Sequence, residues 1–335
     1  MRRILVLGGG GFLGAAVLAR LGRPAAAAPD ARAAPGGGPR VRLLRGERSP
    51  GFDLLADLAV VPVDVLAGRL AELSPDVVVN CAGAVAGAAS EVCAVDARGP
   101  AALAEAMALA VPSARLVHLG SAAEYGPAEG KALSESAPAR PTGVYGTAKL
   151  AGTLAVTGSG LDSVVLRVFN PVGAGAPVTG LPGRLAAAFR DTPPHGTVRT
   201  GSLTGYRDFV DVRDVAEAVA LAAVAAGPLP PVVNIGSGRG VRARTLAETL
   251  AAIAGFGGRI EESGPGSANS APLDWSQADI TLAARALGWL PARTLRDALT
   301  SLWQATATPA PAGSASRVPG GGGGSRSSAA ARNSP

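Results

Sequence analysis

Short apolar runs alternate with helix-like stretches through the first half of the chain. The runs are rich in Val, Leu and Ile and are bounded by Gly, Asp or Pro, as in strands buried on both faces of a parallel sheet. We predict strands at Ile4–Leu7, Val41–Leu44, Leu58–Val61, Val77–Val79, Leu116–Leu119 and Val164–Leu166. Helices are predicted at Gly11–Leu21, Pro100–Ala110 and Tyr145–Thr157. This alternation predicts an α/β fold, a doubly wound parallel sheet with right-handed crossovers.

The pattern changes after residue 170, where Gly/Pro-rich loops separate the helices. Helices are predicted near 214–226, 244–254 and 294–304. We predict a sheet domain over 1–170 and a smaller, mainly substrate-binding lobe over 171–304, with some return of the chain to the sheet. Segment 23–39 is rich in Pro, Ala and Gly and is predicted to be an extended loop. Segment 305–335 has almost nothing to bury and is predicted to be a disordered tail.

Composition narrows the function classes. Hydrophobic residues make up 47% of the 335, enough for a sizeable core. The net charge is +6, but the basic residues are scattered and form no run with interleaved aromatics, which argues against nucleic acid. No apolar run reaches the ~18 residues of a membrane span. The apolar N-terminus leads into a glycine loop rather than a cleavage site, so we expect a cytoplasmic protein without a membrane partner.

The sequence offers few residues for a metal site or a disulfide. Two cysteines, Cys81 and Cys93, form neither a disulfide framework nor a C-x-x-C spacing. With only two histidines in addition, a His/Cys metal site is not expected.

A glycine-rich loop follows the first predicted strand. Gly8, Gly11 and Gly14 form G-x-x-G-x-x-G at the start of a predicted helix. Without side chains, such a loop lets a pyrophosphate approach the backbone N–H groups of the helix N-terminus. The position between strand and helix predicts dinucleotide binding, and an ordinary tight turn is the alternative.

The end of the second strand bears on the choice of dinucleotide. An acidic residue there would bind the ribose hydroxyls of NAD, whereas arginines would accommodate the 2′-phosphate of NADP. Arg45 and Arg48 follow the predicted strand, with no Asp at the expected position. We therefore favour NADP(H), with NAD(H) as the alternative if these arginines are merely solvated.

A tyrosine and a lysine are spaced for proton transfer. Tyr145 and Lys149 form Y-x-x-x-K on a predicted helix, so both side chains lie on one face, one turn apart. A tyrosine of pKa about 10 needs a neighbouring cation to act near neutrality, and Lys149 can supply that charge. The chain has three tyrosines and only two lysines, so this pairing is informative.

Ser121 closes the predicted strand before this helix. A hydroxyl at a strand end faces the ligand cleft and can hold a carbonyl or an alcohol beside the tyrosine. The alternative is a helix cap, since Ser-x-x-Glu is a capping pattern.

Together these segments resemble the extended short-chain dehydrogenase/reductase family, in particular its nucleotide-sugar epimerases, dehydratases and ketoreductases. The resemblance covers roughly residues 1–304. It rests on GGGGFLG (8–14), VVNCAG (78–83), GSAAEYG (120–126), ARPTGVYGTAK (139–149), LRVFNPVGAG (166–175), YRDFVDVRDVAEA (206–218) and VNIGSGRG (233–240). It implies a Rossmann-like sheet with a smaller C-terminal substrate-binding lobe.

The resemblance also implies residue roles. The catalytic residues would be Ser121, Tyr145 and Lys149. Cofactor contacts would come from Gly8, Gly11, Phe12, Leu13, Gly14, Arg45, Arg48, Asp64, Val65, Ala82, Gly83, Tyr145, Lys149 and Pro171, with Asp64 near the adenine. Substrate contacts would come from Ser121, Glu124, Asn170 and Arg207. The guanidinium of Arg207 suits a diphosphate, and a surface arginine paired with Asp208 or Asp211 is the alternative.

Accessory residues separate the family's reactions. Ala122 and Ala123 stand where 4,6-dehydratases carry an Asp-Glu pair, which argues against dehydration. The 3,5-epimerase/reductases need a Cys at position 123 and a well-placed His, and neither His118 nor His195 is so placed. The motifs are most similar to reductases acting on GDP-4-keto-6-deoxymannose. Glu124 stands where such reductases tend to carry Glu and would contact sugar hydroxyls or water.

We therefore expect an NADPH-dependent reductase of the 4-keto group of an NDP-4-keto-6-deoxyhexose. A nucleotide-sugar 4-epimerase with tightly bound NAD and a non-catalytic NADP-binding regulator are the alternatives. The nucleotide is left open between GDP, dTDP and UDP. The resemblance also implies a homodimer formed through two helices of the sheet domain.

Overall fold

The structure is a computed structural model that describes residues 2–23, 41–48, 51–128, 130–263 and 275–306. The strands are β1 (Arg2–Leu7), β2 (Val41–Glu47), β3 (Leu54–Leu55), β4 (Val77–Asn80), β5 (Arg115–Ser121), β6 (Ser163–Val168), β7 (Pro171–Val172), β8 (Thr197–Thr200), β9 (Tyr206–Asp208), β10 (Val210–Asp211), β11 (Val232–Ile235), β12 (Gly240–Arg242) and β13 (Arg259–Glu262). The α-helices are α1 (Phe12–Leu21), α2 (Val63–Leu73), α3 (Ala89–Cys93), α4 (Gly99–Ala110), α5 (Val144–Thr157), α6 (Leu181–Asp191), α7 (Val212–Val224), α8 (Ala243–Ala254), α9 (Thr281–Leu287) and α10 (Leu295–Ala305).

Seven strands form one sheet in the order β11-β6-β5-β4-β1-β2-β3. Every neighbouring pair in it is parallel. From β1 the order runs outward to β2 and β3 on one side and to β4, β5 and β6 on the other. The switch point therefore lies between β1 and β4, where ligands bind at the carboxyl ends of the strands. The predicted doubly wound, Rossmann-like sheet is confirmed.

Alternate residues of each central strand enter different cores. In β1, Ile4 and Val6 pack with residues of α1, α7 and α9. Leu5 and Leu7 point to the other face and pack with residues of α2, α4 and α5. Because successive side chains point to opposite faces, a strand covered by helices on both sides must be apolar throughout. This is why the strands appear in the sequence as continuous apolar runs.

One strand prediction was wrong. Leu58–Val61 was predicted as a strand, but residues 58–60 form a turn and the strand at this edge is the short β3. The side chain of Asp57 accepts a hydrogen bond from the Ala59 N–H, and its carbonyl accepts those of Val60 and Val61. An Asp that hydrogen-bonds its own following backbone stabilises a turn in place of a strand. The apolar run is instead explained by Leu58, which is buried in the core.

A smaller lobe lies beyond β6. Its core is formed mainly by α6, α8 and α10, with Phe189, Leu246 and Leu299 among its buried residues. Three elements of this part of the chain return to the sheet, since α7 and α9 pack against it and β11 is its edge strand next to β6. The boundary at residue 170 stays a prediction. The predicted loop and tail fall almost entirely on residues 24–40 and 307–335, which lie outside the described residues.

No helix in the part of the chain that the structure describes is both long and apolar enough to cross a membrane.

Gly14 allows α1 to approach the loop after β1. A Cβ at this position would overlap the Gly8 carbonyl oxygen, which is backbone and cannot move aside cheaply. We expect Gly14→Ala to lower the free energy of unfolding by about 1–3 kcal/mol, measured by urea denaturation, because of overpacking. Gly68, inside α2, has no atom within 4 Å of an added Cβ. Gly68→Ala is the matched control and should stabilise by about 0.5–1 kcal/mol. Equal stability of the two variants would contradict this packing constraint.

Candidate active site

The glycine loop lies at the switch point of the sheet. Gly8 follows β1 directly, and α1 begins at Phe12. The Gly8 N–H donates to the Gly46 carbonyl, and the backbone of Ala82, just after β4, lies against Gly8. The glycine loop is thus brought beside Ala82. Because α1 begins directly after the loop, its N-terminal N–H groups lie at this junction, an arrangement suited to a pyrophosphate.

The end of β2 carries an acidic residue that the sequence reasoning passed over. The strand continues to Glu47, three residues beyond the predicted end at Leu44. The Glu47 carboxylate accepts a hydrogen bond of 2.5 Å from the Gly10 N–H in the glycine loop. Arg45 and Arg48 flank it and are exposed. A carboxylate and two arginines therefore lie at the end of β2, where Rossmann-type folds recognise a coenzyme ribose.

The position at the end of β3 is taken by Asp57 and Leu58 rather than by Asp64 and Val65. Asp64 and Val65 are exposed in the first turn of α2. Their expected role near the adenine was implied by the family resemblance, and β3 ends earlier, at Leu55. Arg98 holds the turn after β3 by donating to the carbonyls of Leu58 and Val61 at 2.9 and 2.8 Å. In the sequence, Asp57 could be found only as an Asp after the short apolar run at residues 54–56.

Tyr145 and Lys149 lie one turn apart in α5, as predicted from their spacing. Tyr145 is half-buried, whereas Lys149 is buried and donates to the Leu119 carbonyl at 3.1 Å. Gly146 sets the position of the helix. A Cβ there would overlap the Ala123 carbonyl oxygen, so the glycine lets α5 pack directly on the 3₁₀ turn Ala122–Glu124. The turn follows Ser121, so this packing brings the start of α5 to the end of β5.

Behind Lys149 lies a carboxylate that the sequence reasoning missed. Asp96 is fully buried, and its Oδ1 is 3.2 Å from the Lys149 Nζ. Burial alone would lower the pKa of Lys149, but Tyr145 and Asp96 more than offset it and the pKa is raised. Lys149 is therefore an ammonium at neutral pH. Asp96 precedes no recognisable motif, and no signal in one sequence marks it.

Ser121 is both a strand end and a cap. It is the last residue of β5, and its hydroxyl oxygen accepts a hydrogen bond of 3.2 Å from the Ala123 N–H. Glu124 reaches back to the Ser121 N–H at 2.7 Å, which completes a capping box on the 3₁₀ turn. The capping alternative is thus real, yet Ser121 stays partly exposed at the carboxyl edge of the sheet.

Glu124 does not line the cleft, contrary to the expectation that it contacts sugar hydroxyls. Its side chain is fully buried, with Oε2 2.7 Å from the Arg167 Nε and Oε1 on the Ser121 N–H. Arg167 also stacks over the Tyr125 ring at 4.6 Å. A buried Arg on β6 needs a carboxylate partner, and the turn after β5 supplies it. Glu124 consequently positions the Ser121 backbone from behind.

The remaining predicted residues lie where the chain passes from the sheet to the lobe. Asn170 follows β6, and its amide donates to the Asp208 carbonyl at 2.9 Å. Pro171 begins β7, which pairs with β10. Arg207 on β9 donates to the Tyr206 carbonyl at 2.8 Å.

The two carboxylates that could have paired with Arg207 have other partners. Asp211 pairs with Arg213. Asp208 accepts from the backbone N–H groups of Ser237, Gly238 and Ala278.

A buried histidine lies beneath the site and is not placed for acid–base work. The His118 Nδ1 is 3.2 Å from the Asn80 amide nitrogen. Burial, helped by the charge of Lys149, lowers the pKa of His118 to about 3, so its ring is neutral. Among the described residues there is no group of three or more His, Cys, Asp or Glu that could hold a metal ion.

Comparison with known proteins agrees with this geometry. The sequence model of the NAD dependent epimerase/dehydratase family matches residues 4–236. The chain is 39% identical over 316 residues to a dTDP-6-deoxy-L-talose 4-dehydrogenase (NAD(P)(+)) of Kitasatospora kifunensis, covering 91% of this chain and 96% of that protein. It is 30% identical over 355 residues to a UDP-glucose 4-epimerase of Azospirillum brasilense, covering 94% and 97%.

The fold is also found among solved structures. The structure of RMD from Pseudomonas aeruginosa complexed with NADPH superposes with a TM-score of 0.74 and 24% identity. The match covers 92% of this chain and all of that one. At this identity the likeness shows the shared fold.

The Glu124–Arg167 pair gives a test that separates positioning from substrate contact. Glu124→Gln should lower the free energy of unfolding by about 3–5 kcal/mol, because it leaves the Arg167 charge buried without its partner. Urea denaturation measures the loss. Glu72→Gln removes a carboxylate from an exposed i,i+3 pair with Arg69 and should change stability by less than about 1 kcal/mol. A Glu124→Gln protein of unchanged stability but weakened sugar binding would instead place Glu124 in the cleft.

Proposed function

We propose a specific reaction for this chain, which belongs to the NAD dependent epimerase/dehydratase family. It reduces the 4-keto group of an NDP-4-keto-6-deoxyhexose with a nicotinamide coenzyme. The same enzyme would oxidise the 4-hydroxyl in reverse, since hydride transfer is reversible. One observation carries the proposal: Tyr145 and Lys149 on α5 are packed against the turn that follows Ser121.

The three side chains have distinct roles in the proposed reaction. Tyr145 donates its phenolic proton to the carbonyl oxygen as the keto carbon gains a hydride, and takes the proton back in oxidation. The Ser121 hydroxyl oxygen already accepts the Ala123 N–H, so its own proton is available to hold the substrate oxygen. Lys149 has three N–H donors, of which two are directed to Leu119 and Asp96. The third can serve the coenzyme ribose while the charge favours the phenolate.

The residues at the switch point fit a dinucleotide. Gly14 leaves room for close contact between α1 and the loop, and the helix N-terminus attracts a pyrophosphate. When bound, the coenzyme supplies or accepts the hydride. We assign its contacts to Gly8, Gly11, Phe12, Leu13, Gly14, Ala82, Gly83, Tyr145, Lys149 and Pro171, and exchange Asp64 and Val65 for Asp57 and Leu58.

The substrate proposal draws on the 4-dehydrogenase relative, which acts on a dTDP-6-deoxyhexose at the same carbon. Its reaction in reverse is a 4-keto reduction, and dTDP is therefore the first nucleotide to test. We assign the diphosphate to Arg207 because a guanidinium fork matches phosphate oxygens, and place Asn170 nearby at the sheet–lobe junction.

A nucleotide-sugar 4-epimerase is the second candidate. It is supported by the relative of 30% identity, a UDP-glucose 4-epimerase, and it would use the same Ser, Tyr and Lys. An epimerase oxidises and re-reduces one substrate with retained coenzyme, so it consumes none. Glu124 no longer argues for the reductase, because its carboxylate is turned away from the cleft.

For the coenzyme, we propose that both NAD(H) and NADP(H) are accepted and that Glu47 limits the use of NADP(H). The Glu47 carboxylate at the glycine loop would bind ribose hydroxyls and repel a 2′-phosphate. Arg45 and Arg48 would offset that repulsion. The prediction of NADP(H) from the sequence took Arg45 and Arg48 into account but not the Glu47 carboxylate.

The homodimer stays a prediction. Leu109 on α4 and Leu154 on α5 are large exposed apolar residues on the two helices that would form the interface.

The reaction is tested with purified protein, NADH or NADPH, and a dTDP-, GDP- or UDP-4-keto-6-deoxyhexose, following loss of the reduced coenzyme's absorbance. We expect oxidation of coenzyme that Tyr145→Phe reduces by about 10²–10⁴-fold. Tyr125→Phe is the control, because its phenol donates to Asn234 in the core, and it should keep activity. Turnover of an NDP-hexose without coenzyme consumption would point to the epimerase. Absence of both activities in every nucleotide series would leave the non-catalytic regulator.

The coenzyme proposal is tested by the ratio of kcat/KM for NADPH to that for NADH. Glu47→Gln keeps a hydrogen-bonding side chain and removes the charge, so the ratio should rise by about tenfold or more, equivalent to about 1.4 kcal/mol. Arg48→Ala should move the ratio in the opposite direction. An unchanged ratio in Glu47→Gln would show that this carboxylate does not face the coenzyme.

A further inference from the structure

Asp96 is an unusual residue to find behind the proposed site. It is fully buried and belongs to a π-helical turn, Ala94–Arg98, that interrupts the passage from α3 to α4. Its Oδ1 lies 3.2 Å from the Lys149 Nζ, and both side chains are removed from water. Its other hydrogen bonds among the described residues are two long ones of 3.3 Å from the Ala84 N–H. Lys149 is thus its main partner.

Burying this ion pair costs hydration free energy, so stability alone does not explain why it is present. Two charges taken out of water lose hydration that their attraction only partly returns, and apolar residues of similar size often serve stability as well. Burial indeed raises the pKa of Asp96, although Lys149 and the Ala84 N–H oppose that rise. A π-turn in a helix also often marks a functional position. A buried carboxylate directed at the proposed catalytic lysine is therefore more than a packing device.

The other groups around Lys149 leave Asp96 as the charge that matters. The charge of Glu124 is balanced by Arg167, and His118 is neutral. Desolvation raises the pKa of the Cys81 thiol to about 12, so it carries no charge either. Tyr145, on the same helix, also influences Lys149 and is the group to which the proposed reaction assigns the proton transfer. Among the described groups that influence Lys149, Asp96 is the carboxylate whose ion pair is with Lys149 itself.

We propose that Asp96 is a positioning residue that holds the Lys149 ammonium in place and makes the Tyr145–Lys149 pair keep its proton to higher pH. The inference rests on the proposed function. Lys149 by itself favours the phenolate of Tyr145, and the Asp96 carboxylate cancels part of that charge. The carboxylate therefore favours the protonated form of the pair, which suits proton donation in reduction. Oxidation, which needs the phenolate, is correspondingly moved to alkaline pH.

The sign of the effect does not depend on which group releases the proton. Removing a negative charge destabilises the protonated form of the coupled pair whether the proton sits on the phenol or on the ammonium. Asp96→Asn keeps the shape of the side chain and removes the charge. The pair should then release its proton at a pH lower by about one unit or more.

A titration of the phenolate tests this without any substrate. The near-ultraviolet absorbance of phenolate is followed against pH in the parent protein and in Asp96→Asn, and subtraction of the matching Tyr145→Phe titration isolates Tyr145 from the other tyrosines. We expect the midpoint to fall by about one pH unit or more in Asp96→Asn. If Asp96→Asn does not fold, Asp96→Ser removes the same charge and admits water beside Lys149. An unchanged or higher midpoint would overturn the proposal.

The matched control is Asp214→Asn. Like Asp96, Asp214 is a buried carboxylate in an ion pair, and its partner is Arg293. It lies on α7, on the opposite side of the sheet from α5. Its titration midpoint should equal that of the parent protein, and a matching fall there would mean a general loosening and would refute the role of Asp96.

The pH profiles of kcat supply the link to the reaction. In Asp96→Asn, kcat for reduction should begin to fall at a lower pH, and kcat for oxidation should begin to rise at a lower pH. Both shifts should equal the shift of the phenolate midpoint in pH units. A midpoint that shifts in a protein with no oxidoreductase activity would uphold the Asp96 inference and reject the proposed function. Activity with a shifted midpoint but unmoved kcat profiles would reject the inference alone.

Discussion

Burial of a parallel sheet on both faces is the constraint from which the rest of the molecule follows. Strands that run the same way need crossover helices, and these cover both faces, so the strands must be apolar at every position. The same direction also brings all their carboxyl ends to one edge. Gly8, Ala82 and Asn170 follow β1, β4 and β6, and Ser121 ends β5, so residues far apart in the chain meet there. The proposed chemistry uses this edge because backbone groups and side chains are available at it.

Two buried ion pairs fix the elements that lie behind the proposed catalytic residues at this edge of the sheet. Glu124 reaches from the turn after β5 to Arg167 on β6, and Asp96 reaches from the turn before α4 to Lys149 on α5. Each pair connects an irregular turn to a regular element beside the proposed catalytic residues. In a low-dielectric interior a broken pair leaves an unpaired charge, which is expensive, so the partners define each other's position. Ser121 and Lys149 are therefore held in position by buried partners.

The sequence predicted the fold well where one physical rule dominated. Continuous apolar runs revealed most strands of the sheet, and the Y-x-x-x-K spacing alone placed Tyr145 and Lys149 on one helical face. The prediction failed where a local hydrogen bond competed with hydrophobicity. At Asp57 a side-chain-stabilised turn replaced the predicted strand, and Asp64 and Val65 lie beyond it in the first turn of α2. Glu47 was given no role because the strand was predicted to end at Leu44, whereas β2 continues to Glu47.

By itself, then, the sequence determined the order of strands and helices, the glycine loop after β1, and the identity of the Ser, Tyr and Lys assigned to catalysis. These are local properties, set by side-chain periodicity and by the steric limits of single positions. Only the tertiary structure decided which charges meet. Glu124 could have contacted sugar or water, but its carboxylate pairs with the buried guanidinium of Arg167 instead. Asp96 and Lys149 are far apart in the chain, and their contact exists because α5 and the π-turn pack on the same face of the sheet. Long-range electrostatic partners depend on how elements pack, and that information is spread over the whole core rather than carried by any one motif.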